Sequence, residues 1–160
     1  MIRFAPAPLE ELRRHGEDCW PEESCGVLLG RAEGGERRVT LALRCRNADP
    51  APRRRYALDP RELLAALKLA RGRGEEVVGF YHSHPGGPAR PSAADLAEAH
   101  WPGCAYVVTA VEGGCAGETR SFVLAGSEEE RRFAEEPVER GLPVEAGGAG
   151  LTPGGAPAAG

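Results

Sequence analysis

The segment 79–96, GFYHSHPGGPARPSAADL, contains residues whose types and spacing could bind a metal ion. His82 and His84 stand at i and i+2 of a strand-like stretch, and alternate side chains of a strand point to the same face. Both imidazoles can therefore reach one ion at about 2.0 to 2.1 Å, while Ser83 points to the other face. Pro85 and the two glycines after it end the strand and start a loop.

A third candidate ligand follows at the start of the next predicted helix. Ser92 is placed as an N-cap and Asp95 three residues later, so the carboxylate is held in the first helical turn. Two neutral imidazoles and one carboxylate form a three-ligand site of the catalytic type, in which the fourth zinc position is left to water. The pKa of such water can fall to roughly 7. The spacing therefore predicts one Zn²⁺ per chain, bound by His82, His84 and Asp95.

The predicted site also needs a general base, and the sequence offers two adjacent acids, Glu22 and Glu23, just before an apolar run. Each motif alone has a simpler interpretation, because an isolated H-x-H is more often incidental and S-x-x-D is usually only a capping box. Their occurrence together, as strand, glycine loop and helix start, favours a metal site. Cys25 would need a base of its own to act as a nucleophile, so a cysteine protease is disfavoured.

Strands and helices are predicted to alternate around these motifs. The clearest helix start is at Asp59, an N-cap followed by Pro60 and by Glu62 of a capping box, and glycines end this helix at 72 and 74. Apolar periodicity predicts further helices over 9–19, 92–100 and 128–136. It predicts strands over 24–31, 37–45, 56–58, 77–84, 104–111 and 121–125.

Composition predicts one α/β domain over residues 1–137 and a disordered tail rich in Gly, Ala and Pro over 138–160. Five cysteines without a C-x-x-C pair indicate neither a disulfide framework nor a thiolate zinc site. A net charge of -4 disfavours nucleic acid as a partner, and the basic run 53–55 is interpreted as a solvated strand edge or loop. No apolar run approaches the roughly 20 residues of a membrane span, and no secretory signal is visible, so a cytoplasmic location is expected.

The motif His82-Ser83-His84-Pro85, with Ser92 and Asp95 after it and P-E-E-S-C-G-V-L-L-G at 21–30 before it, resembles the JAMM (MPN-plus) metallopeptidase family over roughly residues 1–125. The resemblance implies a three-layer α-β-α domain with a curved mixed sheet, an architecture similar to that of cytidine deaminase. It implies that His82, His84 and Asp95 are the zinc ligands. By the same comparison Glu23, rather than Glu22, is the general base, and Ser92 stabilises the oxyanion.

The compact chain resembles the short prokaryotic members of that family, which implies an isopeptidase or peptidase acting on a ubiquitin-like sulfur carrier protein with a C-terminal Gly-Gly tail. Some similar members release cysteine or another amine from that tail. The loop 86–91 is expected to grip it. A non-catalytic scaffold of the same fold is the alternative, whereas a zinc deaminase is disfavoured because its C-x-x-C pair is absent. The sequence leaves open whether the chain forms a homodimer.

Overall fold

The computed structural model describes residues 1–141, which form one mixed β-sheet and three helices. None of the helices within this range is long and apolar enough to cross a membrane. The elements in chain order are β1 (Ile2–Phe4), α1 (Pro6–Cys19), β2 (Cys25–Glu33), β3 (Glu36–Cys45), α2 (Pro60–Gly72), β4 (Glu76–Pro85), α3 (Ala93–Glu98), β5 (Ala105–Glu112), β6 (Cys115–Ala125), β7 (Arg132–Glu136) and β8 (Val138–Arg140).

The sheet has eight strands in the order β7-β6-β5-β4-β2-β3-β1-β8. Strand β4 is parallel to β5, and β1 is parallel to both β3 and β8, while the other neighbours are antiparallel. The two edge strands, β7 and β8, are consecutive in the chain with only Pro137 between them. The sheet must therefore curl until its edges approach, and the Ile2 amide of β1 donates to the Pro137 carbonyl at 3.0 Å.

The two longer helices cover opposite faces of this sheet. Successive side chains of a strand point to opposite sides, and in β2 the fully buried Leu28 packs in a cluster with Leu9 of α1. Its neighbour Val27 packs in a second cluster with Ala66 of α2. Burial contributes about 1.5 to 3 kcal/mol for a side chain of this size, so a one-residue slip of a strand is strongly disfavoured.

Two predicted helix starts are confirmed, but the predicted role of Glu62 in a capping box at α2 is wrong, because its carboxylate accepts a hydrogen bond from the Arg46 amide at 2.8 Å. Asp59 accepts a hydrogen bond from the Arg61 amide at 2.8 Å, and Pro60 occupies the first turn of α2. At α3, Ser92 accepts from the Asp95 amide at 3.1 Å while the Asp95 carboxylate accepts from the Ser92 amide at 2.7 Å. Both hydrogen bonds of the predicted capping box are therefore present.

The prediction of a helix over 128–136 is wrong, because Arg132–Glu136 forms strand β7. This strand pairs with β6, and its Phe133 packs against Tyr106 and Phe122. Tertiary packing of an aromatic side chain has overridden the helix propensity of an acidic segment. The short strand predicted over 56–58 is reduced to an isolated bridge.

Strand β1, which the sequence patterns did not predict, pairs with β8. Strand β8 covers Val138–Arg140, the first residues of the stretch assigned to the tail. Strands of three residues carry too little periodicity to be recognised alone, and each exists here because a partner strand lies beside it. The rest of the predicted tail, 142–160, lies outside the described residues.

Candidate metal centre

Three side chains from β4 and α3 converge at one point. The Nε2 atoms of His82 and His84 are 3.0 Å apart, and Oδ2 of Asp95 lies 3.2 Å from each of them. Phe80, two residues before His82, packs in the cluster beneath α2, so the strand period directs both histidines to that side of the sheet. The three residues proposed as ligands therefore present a nearly equilateral triangle of donor atoms.

This triangle suits one small cation. Tetrahedral coordination at about 2.0 to 2.2 Å separates neighbouring ligand atoms by about 3.3 Å, close to the 3.0 and 3.2 Å observed. Imidazole nitrogen and carboxylate oxygen are ligands that zinc accepts. The donor set and its spacing therefore fit a metal ion of this kind.

Both histidine rings are fixed by their surroundings. Nδ1 of His84 lies 3.0 Å from the Pro88 carbonyl, which can only accept, so Nδ1 carries a proton and Nε2 is the ring atom that faces the triangle. The ring of His82 is 2% exposed and stacks on Tyr56, with centroids 4.4 Å apart and planes at 20°. Burial lowers the pKa of His82, so its imidazole stays neutral, as a metal ligand must be.

Asp95 and His84 shift each other's pKa across the triangle. Burial alone would raise the pKa of Asp95, but hydrogen bonds from His82 and His84 and from the Ser92 amide hold it well below its usual value. Burial is the largest single effect on the pKa of His84 and acts to lower it. The hydrogen bonds to Asp95 and to the Pro88 carbonyl, together with the charges of Asp95 and Glu23, outweigh burial, so the pKa of His84 is raised. The carboxylate is ionised and can neutralise positive charge at this point.

Glu23 lies beside the triangle, just before β2. Its side chain is buried, with the residue 4% exposed, and Oε1 is 3.6 Å from Nε2 of His84. The other oxygen, Oε2, is buried and has no hydrogen-bond partner within residues 1–141. Glu22 is exposed to solvent, so the fold brings only the second of the two adjacent acids to the cluster.

The environment of Glu23 raises the pKa of its carboxyl group. Burial raises the pKa of this carboxyl group to about 7, His84 acts to lower it, and the charges of Asp95 and Asp49 add to the rise. A carboxyl group with a pKa near the working pH can both accept and return a proton. This property is what a general base and acid needs.

The backbone at Glu23 is joined to the histidine strand by a pair of serines. The Ser24 amide donates to Oγ of Ser83 at 2.8 Å, and the Ser83 amide donates to the Ser24 carbonyl at 3.1 Å. Ser83 points away from the histidines and links β4 to the segment that carries Glu23. Cys25, next along the chain, is fully buried, and burial raises the pKa of its thiol far above the usual value, which suits a structural residue rather than a nucleophile.

A cleft of about 540 Å³ opens beside Asp95. Its walls combine aromatic and aliphatic side chains with the charged Asp49, Arg55, Asp95 and Glu98, and such mixed clefts can bind organic ligands or chain segments. The main apolar lining residues are Tyr56, Leu58, Leu63, Phe80, Trp101 and Tyr106. Tyr56 and the nearby Asn47, which anchors the loop before α2, were not recognised from the sequence, because no local motif marks either residue.

The chain is similar in sequence to known proteins. The family described as prokaryotic homologs of the JAB domain matches residues 6–125. A desampylase of Haloferax volcanii is 42% identical over 93 residues, which cover 58% of this chain and 66% of that protein. A probable TtuB-protein conjugate cleaving protease of Thermus thermophilus is 37% identical over 130 residues, covering 81% of this chain and 80% of that protein.

Solved structures show the same fold. The solution structure of a protein from Desulfitobacterium hafniense is 33% identical, with a TM-score of 0.79, over 91% of this chain and 96% of that chain. The solution structure of a protein from Salinibacter ruber is 40% identical, with a TM-score of 0.68, over 87% of this chain and 91% of that chain. The mixed sheet with its few helices is therefore shared along nearly the whole length of both proteins.

Proposed function

The chain belongs to the family of prokaryotic homologs of the JAB domain, short JAMM-type proteins, and on this basis we propose that it hydrolyses the peptide or isopeptide bond after the C-terminal Gly-Gly of a ubiquitin-like protein. The observation that carries the proposal is a buried acid, Glu23, within 3.6 Å of His84 in a triangle of metal-ligand atoms. Without a metal and a reaction, such a group would only cost folding free energy.

The names of the relatives support this substrate class. One is called a desampylase and another a probable TtuB-protein conjugate cleaving protease. The cleft beside Asp95 is large enough for a few residues of extended chain, and its mixture of aromatic and polar walls suits a narrow tail with small side chains and an exposed backbone. A sulfur carrier protein fits this description, and cysteine is one amine that its tail could release.

His82, His84 and Asp95 would hold the zinc ion. Bound there, zinc would lower the pKa of water to roughly 7 and polarise the scissile carbonyl. The tautomer of His84 and the neutral state of His82 are prepared for this role by the Pro88 carbonyl and by burial. Asp95 supplies the only negative charge of the proposed ligand set, and the Ser92 amide orients it.

Glu23 acts as the general base in this proposal. It accepts the proton of the attacking water on its carboxylate and passes that proton to the nitrogen of the leaving amine as the carbon–nitrogen bond breaks. No covalent bond to the protein is formed. Ser92 uses a lone pair to accept from the Asp95 amide, and its hydroxyl proton remains free to donate to the oxyanion of the tetrahedral intermediate.

Three further features are proposed with this function. The positions of α1 and α2 on opposite faces support a three-layer arrangement. The family match to 6–125 supports one domain over residues 1–137, to which strand β8 adds Val138–Arg140. A cytoplasmic location would give the enzyme access to carrier proteins in the compartment where they are used.

The first experiment measures zinc by elemental analysis and cleavage by mass spectrometry, for the wild type and for a His82→Ala, His84→Ala double variant. The substrates are a ubiquitin-like protein joined through Gly-Gly to a lysine side chain and the same protein extended by cysteine. We expect about one zinc per chain and cleavage in the wild type only. A protein that holds no zinc and cleaves neither substrate would instead favour a scaffold, and zinc without cleavage would refute the substrate class.

A further inference from the structure

Asn47 anchors the loop 46–59, which joins β3 to α2. Its carboxamide nitrogen donates to the Glu23 carbonyl at 3.1 Å and to the Arg55 carbonyl at 2.8 Å, with a longer contact of 3.4 Å to the Pro52 carbonyl. The Glu23 amide itself donates to the Pro52 carbonyl at 2.7 Å. The backbone of Glu23 is therefore bound to this loop on both its amide and its carbonyl side.

The carboxamide oxygen of Asn47 holds the far end of the same loop. It accepts hydrogen bonds from two loop amides, one of them the Ala57 amide at 3.1 Å. The bonds to the Arg55 carbonyl and the Ala57 amide lie on either side of Tyr56, whose ring stacks on His82. One side chain thus connects the proposed base to the residue that covers a proposed ligand.

We propose that Asn47 is a positioning residue for the hydrolytic reaction, fixing the Glu23 carboxylate relative to His84 and holding Tyr56 against His82. This inference rests on the proposed function, because the position of Glu23 affects the rate only if Glu23 takes part in the reaction. Asn47 is not among the residues that line the cleft, so it acts through its neighbours and not on the substrate.

The chemistry of this position requires a carboxamide. A short side chain with two N–H donors and an acceptor oxygen is needed to bind carbonyls and amides at once. Aspartate keeps the acceptor but loses both donors, and it brings a negative charge toward the Glu23 carbonyl. Alanine removes all the bonds and leaves buried backbone groups without partners. Asn47→Asp should therefore keep the two amide contacts of the loop and lose the link to Glu23.

The test compares Asn47→Ala and Asn47→Asp with Asp59→Ala, a control that removes the N-cap of α2 from the end of the same loop but touches neither Glu23 nor Tyr56. Four quantities are measured for each full-length protein. They are kcat and KM for the Gly-Gly conjugate, the affinity of the metal-free protein for Zn²⁺ alone, and the hydrogen-exchange rate of the Glu23 amide.

We expect kcat to fall about 10- to 100-fold in both Asn47 variants, with little change in KM. Zinc affinity should fall less than kcat, because His84 and Asp95 keep their hydrogen bonds to Pro88 and Ser92, while the Glu23 amide should exchange faster. The Asp59→Ala control should keep both kcat and slow exchange at Glu23. Together these results would separate positioning of the base from a general loss of stability.

An unchanged kcat and unchanged exchange at Glu23 in Asn47→Ala would overturn the proposal. Equal losses in Asp59→Ala would overturn it as well, because loop stability alone would then explain the effect. If the wild type cleaves no conjugate, the proposed function fails, and so does a role for Asn47 in that reaction. In that case the exchange rates still tell whether Asn47 holds the backbone of Glu23.

Discussion

At the scale of single residues, the Glu23 carboxyl group is placed where folding does not favour it. It is buried with one oxygen unpartnered, and an unsatisfied buried polar atom costs about 1 to 3 kcal/mol. An interaction that forms only during the reaction, such as the acceptance of a proton from water, would offset this cost. Residues of this kind commonly oppose stability and support activity.

Replacing Glu23 by glutamine should separate the cost of this residue to stability from its contribution to activity. Glutamine keeps the shape of the side chain but cannot accept a proton, so we expect kcat to fall about 10² to 10⁴-fold. The free energy of unfolding should stay the same or rise, because no hydrogen bond of Oε2 is lost. Enzyme kinetics and urea unfolding, with zinc content as a control for the ligands, check this. Turnover at the wild-type rate would remove Glu23 as the base.

Ser92 caps helix α3 and, in the proposed mechanism, also donates a hydrogen bond to the oxyanion. In Ser92→Ala the oxyanion loses a donor, which lowers kcat by about 10² to 10³-fold. Loss of the N-cap of α3 should lower the free energy of unfolding by only about 0.5 to 2 kcal/mol. Zinc content and kcat are measured on the same samples. A variant that retains zinc and full kcat would leave Ser92 with a capping role only.

The residues of the candidate site differ in how visible they are in the sequence. His82, His84, Ser92 and Asp95 could be predicted because a strand period and a capping box place them within fourteen positions. Asn47 could not, because its contact with Glu23 joins residues 24 positions apart and depends on how a loop folds over β2. Local spacing indicates the ligands, while the groups that hold them become visible only in the fold.

At the scale of elements, helix α2 is set by local signals in the sequence, whereas strand β7 depends on long-range pairing. Helix α2 could be predicted from Asp59 and Pro60, which set its start through bonds within four residues. The segment that became β7 could not, because its acidic residues favour a helix when isolated and its pairing with β6 decides otherwise. Long-range pairing is the part of the fold that single-sequence patterns describe least well.

Helix α1 is joined to β4 by a buried histidine. Nδ1 of His15 lies 2.7 Å from the Tyr81 hydroxyl, and the histidine is 6% exposed. Burial, with the charge of Arg44 adding to it, lowers the pKa of His15 from 6.5 to about 4, while Glu11 and Asp18 act in the opposite direction. The imidazole is therefore neutral in the folded protein under ordinary conditions.

This pKa predicts a specific pH dependence of stability. Below pH 6.5 the unfolded chain binds a proton at His15 that the folded chain does not bind until the pH nears 4. The contribution of His15 to the free energy of unfolding is thus fully present above pH 6.5 and decreases toward pH 4, by at most about 3 kcal/mol. Urea unfolding of the wild type and of His15→Gln across this range measures it. Parallel pH profiles for the two proteins would contradict the prediction.

At the scale of the whole molecule, the curl of the sheet depends on contacts between its ends. Glu136, the last residue of β7, is mostly buried and accepts hydrogen bonds from Arg37 of β3 and Ser121 of β6, each at 2.8 Å. The N-terminal amine of Met1 lies 2.7 Å from the same carboxylate. One carboxylate therefore connects strands from both halves of the sheet at the point where its edges meet.

Removing this carboxylate should destabilise the whole sheet. In Glu136→Ala the guanidinium of Arg37 loses its mostly buried partner but keeps its hydrogen bond to the Gly103 carbonyl. Breaking a fully buried pair costs about 3 to 5 kcal/mol, so this part-buried pair should cost up to about 3 kcal/mol. The matched control is Glu139→Ala in β8, where a carboxylate 48% exposed pairs with Arg3 at 2.8 Å. Because exposed ion pairs contribute only about 0 to 1 kcal/mol, the control should unfold at nearly the wild-type urea concentration. Similar midpoints for the two variants would show that Glu136 does not hold the edges of the sheet together, whereas a clear separation is expected if this carboxylate links strands of its two halves.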